Sequence, residues 1–266
     1  MCRAVARPIV ARIATLAAEM RSRPENYLGR ERDISAALAT RGINVITPTD
    51  LVDPGPHDIG GTAFLLLRHH DIVPLDTTSR ADALRAGRSF AELSAALGDL
   101  SIGLGAVDQG HPWAEIAALV GTVASTTADA TMERITEVID ALRRGEPDDP
   151  WQLVHGDAHR VNVAVDDRGQ IIWFDFEDAN RRPLAWDLAT LRRSWPAAGE
   201  EASQLLGVDS DSYSMRWHHE LREVYALLWN LLYSQRFARA PSATAQREAT
   251  WLARPIDHHL RPEGDR

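Results

Sequence analysis

The stretch that decides the fold is Leu153-Val-His-Gly-Asp-Ala-His-Arg-Val-Asn-Val-Ala-Val-Asp-Asp-Arg-Gly-Gln-Ile-Ile-Trp-Phe-Asp-Phe-Glu-Asp178. Residues 162–165 and 170–174 are typical of short strands, and the Asp-Asp-Arg-Gly sequence between them is typical of a hairpin turn. Pairing across a four-residue loop places Val165 opposite Gln170, and therefore Asn162 opposite Trp173. The sequence thus predicts a β-hairpin whose open end carries polar side chains.

These polar side chains are of the kind that binds a hard metal ion. Asp175 follows Trp173 by two positions, so this pairing makes it the diagonal neighbour of Asn162, at a distance of roughly 7–8 Å. Asp157 lies in the loop that leads into the first strand. Two carboxylates and an amide oxygen suit Mg²⁺, which completes its shell with water and phosphate oxygens.

The same residues resemble a known superfamily. His155-Gly-Asp157, Asn162 five positions after Asp157, and Asp175-Phe-Glu177 are similar to the motifs of the aminoglycoside phosphotransferase and choline kinase superfamily. Protein kinases share this spacing in H-R-D-x-x-x-x-N and D-F-G. The motif region is highly specific, whereas the rest of the chain matches only in pattern.

The resemblance implies a fold and an activity. The expected fold is α+β and two-lobed, like a protein kinase, with a small N-terminal β-sheet lobe over 1–70 and a larger, mainly helical lobe over 71–266. The expected enzyme is a small-molecule kinase, a phosphotransferase with an alcohol group as acceptor. It would use Mg²⁺ and ATP or GTP to phosphorylate a hydroxyl of an aminoglycoside-like or other small polar molecule.

The resemblance also implies roles for the motif residues. Asp157 would be the catalytic base, or would orient the acceptor hydroxyl. His155 and Asp187 would support the catalytic loop. The residues expected to hold the metal are Asn162, Asp175 and Glu177.

A basic residue near the start of the chain is a candidate for contact with the nucleotide. Residues 8–14 are typical of a strand, with Arg12 on the same side as Val10. All 29 basic residues counted under lysine and arginine are arginine, so a role that kinases give to lysine must fall to arginine. The resemblance implies that Arg12 contacts the α- and β-phosphates. The alternative is an ordinary surface arginine on an edge strand.

The next segment offers a partner for this arginine. Pro24 and Gly42 are typical of the two ends of a helix. Within it Glu31 lies on the apolar stripe, where an unpaired carboxylate would be costly to bury. We therefore expect an ion pair between Glu31 and Arg12; the alternative is a glutamate at the edge of the stripe.

The residues after the strand 62–67 are assigned to the nucleotide site by resemblance. Arg68, His69 and His70 fall where the family has the hinge between lobes, whose backbone binds adenine. The two histidines are unsuited as joint metal ligands, because adjacent side chains on an extended chain point in opposite directions.

The rest of the chain contributes further elements. Residues 43–52 are predicted to form a strand, and 103–110 a flexible loop. Helices are predicted over 79–97, 131–144, 212–237 and from Ser242 to about residue 260. The aromatic stripe of 212–237 is expected to belong to the core.

Composition excludes several classes of protein. A net charge of −9 argues against a general nucleic-acid binder. The single cysteine excludes an intramolecular disulfide, and no apolar run approaches the ~20 residues of a membrane span. The N-terminus also lacks the apolar region of a signal peptide. We expect a cytoplasmic enzyme without a membrane or nucleic-acid partner; its oligomeric state has no signature in the sequence.

One departure from the family leaves alternatives open. A kinase-type small lobe begins with a strand and a glycine-rich loop, whereas the eleven residues before Arg12 contain no glycine. The loop is absent, the true start lies upstream, or the protein keeps the fold only to bind nucleotide or another ligand. Gly156-Asp-Ala-His159 also matches a metallophosphoesterase motif, but the further ligand clusters of such enzymes are missing.

Overall fold

The N-terminal part of the protein contains a three-stranded sheet packed on a helix. The computed structural model describes residues 8–14, 23–101, 112–237 and 250–254. Strand β1 (Ile9–Ile13) is followed by helix α1 (Pro24–Thr40) and the hairpin β2 (His57–Ile59) and β3 (Thr62–Arg68). The strands are antiparallel in the order β1-β3-β2. A small core joins this sheet to α1 through Leu28, Ala63, Leu65 and Leu67.

The remaining described residues are mainly helical. Strand β4 (Ile72–Pro74) is followed by the helices α2 (Arg80–Gly98), α3 (Pro112–Val123) and α4 (Asp129–Arg144). The short strands β5 (Trp151–Val154), β6 (Val163–Asp166), β7 (Ile171–Trp173) and β8 (Asn180–Pro183) come next, and α5 (Leu184–Ser194), α6 (Pro196–Leu205) and α7 (Tyr213–Phe237) follow. The strands form two sheets, β4-β6-β7 and β5-β8. None of the helices in the described ranges is long and apolar enough to cross a membrane.

Two apolar cores hold these elements. One lies between α1, α2, α5 and the β6–β7 hairpin, with Phe90 and Trp173 fully buried. The other joins α3, α4, α5 and α7 around Trp186 and Trp217. Most of the predicted aromatic stripe of α7 belongs to this second core, as expected. The motif hairpin therefore sits on the first core, while α7 approaches it from the second.

The predicted hairpin is present, but its predicted register is wrong by one residue. Val165 lies opposite Ile171, not opposite Gln170. The loop comprises 167–169 because the Asp166 N–H donates to the Gln170 carbonyl at 2.9 Å. Gly169 closes this loop at φ +75°, the left-handed conformation that a three-residue hairpin loop requires.

The register also changes how the two residues predicted to bind the metal, Asn162 and Asp175, meet. Asn162 ends a 3₁₀ turn (Arg160–Asn162) before β6 begins, so its predicted position opposite Trp173 is wrong. Its carbonyl accepts the Phe174 N–H at 3.1 Å. Asp175 has already left the ladder, at φ 71° and ψ 59°. Both residues lie at the open end of the hairpin, but through two local turns rather than through a strand diagonal.

Residues 43–52 form no regular strand, so that prediction is wrong. Val45 makes an isolated bridge to Trp173, and Pro48 makes another to Leu67. The segment bonds first to β7 and then to β3, and a proline without an N–H interrupts any ladder between them.

The other predictions differ in outcome. The strands 8–14 and 62–67 and the helices predicted over 79–97, 131–144 and 212–237 are confirmed to within two residues. Helices α3, α5 and α6 had no assignment from the sequence. The loop 103–110 and most of the helix predicted after Ser242 lie outside the described residues. The lobe boundary at residue 70 stays a prediction.

Candidate active site

The loop after β5 is held by a carboxylate of helix α5. Asp187 accepts the His155 N–H at Oδ2 (2.7 Å) and the Gly156 N–H at Oδ1 (3.0 Å). Burial raises the pKa of the Asp187 carboxyl, against the opposing effects of His155 and of these two N–H groups. Because both oxygens are occupied, Asp187 fixes the direction in which the loop leaves β5.

Gly156 allows the close turn in this loop. Its φ is +87°, and a Cβ at this position would lie 1.9 Å from the Asp178 carbonyl oxygen. The Gly156 carbonyl accepts the indole N–H of Trp186 at 2.7 Å. The loop thus packs between the turn 176–178 and helix α5, with no room for a side chain.

His155 is fully buried and lies against the other motif residues. Its Nε2 is 3.1 Å from the Phe174 carbonyl. Its ring lies against Phe176 at a centroid distance of 4.6 Å and a tilt of 37°, and it meets the edge of Trp173 at 5.9 Å. These contacts suit a supporting residue and leave the imidazole no access to a substrate.

Asp157 emerges from this loop partly exposed. Its two carboxylate oxygens have different partners. Oδ2 accepts from the Asn162 amide nitrogen at 3.2 Å, and the same nitrogen donates to the Asp157 carbonyl at 2.9 Å. Oδ1 accepts from Nη2 of Arg222 at 2.9 Å. These bonds use only the amide nitrogen of Asn162, so its amide oxygen is not engaged in them.

Arg222 is a site residue that the sequence reasoning missed. It lies on α7, and its side chain is only 7 % exposed. Its guanidinium carbon is 4.6 Å from the ring centroid of Trp186 and 4.9 Å from that of Tyr225. The available signal was an arginine three positions before Tyr225, within the buried face of a helix, where a cation needs a partner.

A second cluster lies where β1, α1 and the turn after β7 meet. The Arg12 guanidinium pairs with Glu31 (Nε to Oε2, 3.1 Å), with Glu177 (Nη2 to Oε2, 3.2 Å) and with Asp175. The predicted ion pair between Arg12 and Glu31 is therefore present. One carboxylate oxygen from each of the three acids lies within 4.8 Å of the others.

Three acids around one cation share an excess of negative charge. Burial raises the pKa of Glu31 to about 8, because the attraction of Arg12 is opposed by the other two acids. Burial likewise raises the pKa of Asp175 to about 6, and the nearby charges of Asp178 and Asp157 add to this shift. Burial disfavours the Arg12 cation, but the three carboxylates outweigh it and raise its pKa. A divalent cation would relieve the repulsion, and hard carboxylate oxygens are the ligands that Mg²⁺ prefers.

The three residues predicted to form the hinge, Arg68, His69 and His70, lie at the end of strand β3. Arg68 pairs with Asp50 at 3.0 Å on the surface. The backbone N–H of His69 is 3.4 Å from the Pro8 carbonyl. Burial and the charge of Arg68 lower the pKa of the half-buried His70. These contacts are with residues other than Arg12, and the nucleotide role of Arg68, His69 and His70 stays a prediction.

Several arginines surround Asp157 and its neighbour His159. Burial lowers the pKa of His159, Asp157 opposes this shift, and Arg222, Arg193 and Arg160 add to it. The Nη1 of exposed Arg160 is 3.4 Å from the Thr77 hydroxyl. The catalytic aspartate candidate therefore faces arginines, whereas the Arg12 cluster is rich in carboxylates.

Comparisons with known proteins bear on this arrangement. The sequence profile of the phosphotransferase enzyme family matches residues 4–221. A comparison with curated protein sequences finds no match.

Several solved structures are similar to the chain. An amicoumacin kinase in complex with AMP-PNP and Ca²⁺ is 19% identical, with a TM-score of 0.66 over 94% of this chain and 81% of that one. A thermostable mutant of the aminoglycoside phosphotransferase APH(4)-Ia is 16% identical, with a TM-score of 0.68 over 98% and 89%. The choline kinase LicA from Streptococcus pneumoniae is 15% identical, with a TM-score of 0.64 over 93% and 86%.

At these identities the structural likeness shows the fold, and it confirms the predicted α+β, two-lobed, kinase-like class. The profile match covers most of the chain, including every motif residue discussed above, and it confirms the predicted class of small-molecule phosphotransferase. The chain belongs to the phosphotransferase enzyme family.

Proposed function

We propose that the protein transfers the γ-phosphoryl group of ATP, or of GTP, to a hydroxyl of a small polar molecule. The observation that supports this most directly is the arrangement of Asp157, Asn162 and Asp175. Asn162 bonds to Asp157 through its side chain at 3.2 Å, and its carbonyl accepts the N–H of Phe174, the residue before Asp175, at 3.1 Å. Asp157, which would orient the acceptor hydroxyl, thus lies near Asn162 and Asp175, which would bind the metal, at the open end of one hairpin.

In this proposal the acceptor oxygen attacks the γ-phosphorus in line. A P–O bond forms to the acceptor, the bond between the γ-phosphorus and the bridging oxygen breaks, and the nucleoside diphosphate leaves with that electron pair. The acceptor proton passes to Asp157 or to solvent. Because such transition states need little covalent help, the main task of Asp157 is to orient the hydroxyl.

The carboxylate cluster suits the donor side. Asn162, Asp175 and Glu177 would hold Mg²⁺, which neutralises charge on the β- and γ-phosphates when bound. Arg12 would contact the nucleotide phosphates, and Glu31 would aim its guanidinium. The backbone near Arg68, His69 and His70 would receive the base.

The proposal needs one decisive experiment. Calorimetry with ATP and with GTP, in the presence and absence of Mg²⁺, is set beside an assay of diphosphate release over a panel of hydroxyl acceptors. The panel includes amino sugars and choline, because the similar structures include aminoglycoside and choline kinases. Mg²⁺-dependent nucleotide binding together with acceptor-dependent release is the expected result. Binding without release from any acceptor would favour the alternative of a kinase-like binding protein.

A further inference from the structure

We infer that Arg222 binds the acceptor, and that the acceptor is an alcohol bearing a negatively charged group, a carboxylate or a phosphate. The inference rests on the proposed function and narrows its acceptor class. It departs from the expectation of a polycationic, aminoglycoside-like acceptor.

Arg222 is a buried cation with hydrogen-bond donors that no acceptor in the described part of the chain uses. A guanidinium carries five N–H donors in a planar arrangement that matches a carboxylate or phosphate. In Arg222 the Nη2 group bonds to Asp157, while Nε and Nη1 have no hydrogen-bond acceptor among the residues that the structure describes. The side chain is nevertheless 93 % removed from solvent, as its exposure of 7 % shows. A buried cation with unused donors beside the reacting group is suited to an anionic ligand.

The aromatic neighbours hold this cation in place. Trp186 and Tyr225 both contact the guanidinium of Arg222 through their rings. A second arginine, Arg182, also lies over the Trp186 ring, with its guanidinium carbon 4.1 Å from the centroid. Rings that stack on guanidinium groups fix their planes without consuming hydrogen-bond donors. Arg222 is thus positioned in advance, which reduces the cost of ordering it around a ligand.

The carboxylates near Arg222 are already paired with arginines. Asp157 is paired with Arg222, and Glu223 is paired with Arg193 at 3.1 Å. Both pairs involve an arginine whose side chain is at most 13 % exposed, and Arg160 extends a further positive charge to the surface. A polycation would have to compete with these arginines for the two carboxylates.

An anionic acceptor meets the opposite situation. Its charged group can accept from Arg222, which then shares its charge between the ligand and Asp157. The Oδ1 atom of Asp157 can then receive the acceptor hydroxyl as well, while the bond from Asn162 to Oδ2 keeps the carboxylate plane fixed. The contact that recognises the acceptor thus also brings its hydroxyl to Asp157.

The test compares acceptors that differ only in charge. One set has a glycerol scaffold: glycerate, glycerol 3-phosphate, glycerol and 2-amino-1,3-propanediol. The second has a glucose scaffold: glucuronate, glucose 6-phosphate, glucose and glucosamine, with kanamycin added as a polycation. Diphosphate release and the phosphorylated product are measured for each at saturating ATP and Mg²⁺. We expect an acidic member to exceed its neutral counterpart by at least about tenfold in kcat/KM, with the amines lowest; the carboxylate and phosphate members separate the two possible sources of charge.

Variants of Arg222 locate the origin of this preference. Arg222→Met keeps the apolar contact with the rings and removes the charge, so it should abolish the preference for acids by raising their KM, with the KM for ATP unchanged. Arg222→Gln makes the same test if the methionine variant does not fold. Arg222→Lys should retain the preference with weaker binding, because it keeps a charge but loses the planar donor array. Arg168→Met, in the exposed hairpin loop, is the control with the same change in net charge.

The outcomes separate the inference from the proposed function. Faster phosphorylation of the amines or of kanamycin overturns the inference and leaves the proposed function standing. An acid preference that survives in Arg222→Met or Arg222→Gln has the same two consequences. Transfer to neutral or amine acceptors but to no acidic member of the two sets also overturns the inference and leaves the proposed function standing. Failure of Mg²⁺-dependent nucleotide binding by the unaltered protein would instead overturn the proposed function.

Discussion

Asp157 is defined by the different partners of its two oxygens. Asn162 holds Oδ2 at 3.2 Å and Arg222 holds Oδ1 at 2.9 Å. The carboxylate therefore has a fixed plane even though the side chain is 36 % exposed. A fixed plane is what an orienting group needs, because misplacing a reacting hydroxyl by about 1 Å costs around 100-fold in rate.

Replacing this carboxylate tests its proposed role. Asp157→Asn keeps an oxygen that can accept from Arg222 but loses the charge, so kcat should fall about 10³-fold. The affinity for Mg²⁺–ATP should remain within about twofold, because Asp157 is not one of the residues proposed to hold Mg²⁺ and the phosphates. Kinetics with an identified acceptor and calorimetry with nucleotide give both values. Asp167→Asn in the hairpin loop is the matched control; turnover within a few-fold of the unaltered protein would show that Asp157 has another role.

Gly156 allows a stability test with an internal control. Alanine at Gly156 would place its Cβ 1.9 Å from a backbone carbonyl oxygen, whereas a Cβ at Gly169 would meet nothing within 4 Å. Both residues have positive φ, so both substitutions carry the ~1–2 kcal/mol cost of a left-handed residue. Gly156→Ala should cost at least about 3 kcal/mol in denaturant unfolding, and Gly169→Ala about 1 kcal/mol. Equal losses would show that the loop can move away from the turn 176–178.

Two helices, α1 and α5, position the site because their polar side chains bond to its loops. Helix α1 presents Glu31 to Arg12 and presents Arg30 to the Ala179 carbonyl, just after the turn that carries Glu177. Helix α5 presents Asp187 to the loop after β5. The apolar cores fix where the helices lie, and these polar contacts carry that placement to the site.

The contact from α5 can be tested at Asp187. Asp187→Asn leaves one acceptor oxygen for two buried N–H donors and directs an NH₂ group at the other donor. The expected cost is about 2–3 kcal/mol of unfolding free energy, with a lower kcat because the loop direction is no longer fixed. Asp209→Asn, which alters an exposed aspartate that accepts one N–H at 2.9 Å, should change stability by less than about 0.5 kcal/mol. A stable Asp187→Asn protein with normal kcat would contradict the supporting role.

The Arg12 cluster links the first sheet, α1 and the hairpin, so its charge affects the stability of the whole molecule. The raised pKa values of Glu31, about 8, and Asp175, about 6, exceed the usual carboxyl range. A group whose pKa is higher in the folded state stabilises that state fully below its unfolded pKa. This stabilisation is lost as the pH rises through the folded pKa.

Thermal unfolding without metal should therefore respond to pH. The melting temperature should fall between pH 5 and pH 9, by about 4–8 °C if about 2 kcal/mol is lost over this range. Glu31→Gln should flatten the upper part of this profile, because the amide does not titrate. Glu92→Gln, at an exposed position of α2, should leave it unchanged. A profile that keeps its slope in Glu31→Gln would show that other groups carry the pH dependence.

Ligand binding should act on the same cluster. Mg²⁺ with ATP should raise the melting temperature more than ATP alone, because a ligand that binds only the folded state stabilises it by mass action. Asp175→Ala should remove the Mg²⁺-dependent part of this shift, whereas Asp167→Ala should retain it. Differential scanning calorimetry on the three proteins is the measurement. A full Mg²⁺-dependent shift in Asp175→Ala would place the metal elsewhere.

The sequence alone determined the features that depend on neighbours in the chain. The hairpin, the ends of α1 and the kinase-like motif follow from turn residues, apolar periodicity and fixed spacing. The pair of Arg12 and Glu31 was also predictable, because a carboxylate on an apolar stripe needs a cation and the family placed one nearby. The hairpin and the helix ends follow from local rules, whereas the ion pair needed both the cost of burying a charge and the resemblance to the family.

Tertiary structure decided the features that depend on distant parts of the chain. The one-residue register shift is a local exception: Asp166 and Gly169 close a three-residue loop where the strand pattern predicted one of four residues. Residues 43–52 bond first to β7 and then to β3. These strands belong to two different sheets, and nothing in the sequence pattern shows that the segment contacts both. Arg222 reaches Asp157 only because the second core packs α7 against Trp186. Residue spacing along the chain does not predict such contacts, because they depend on how the helices pack against each other.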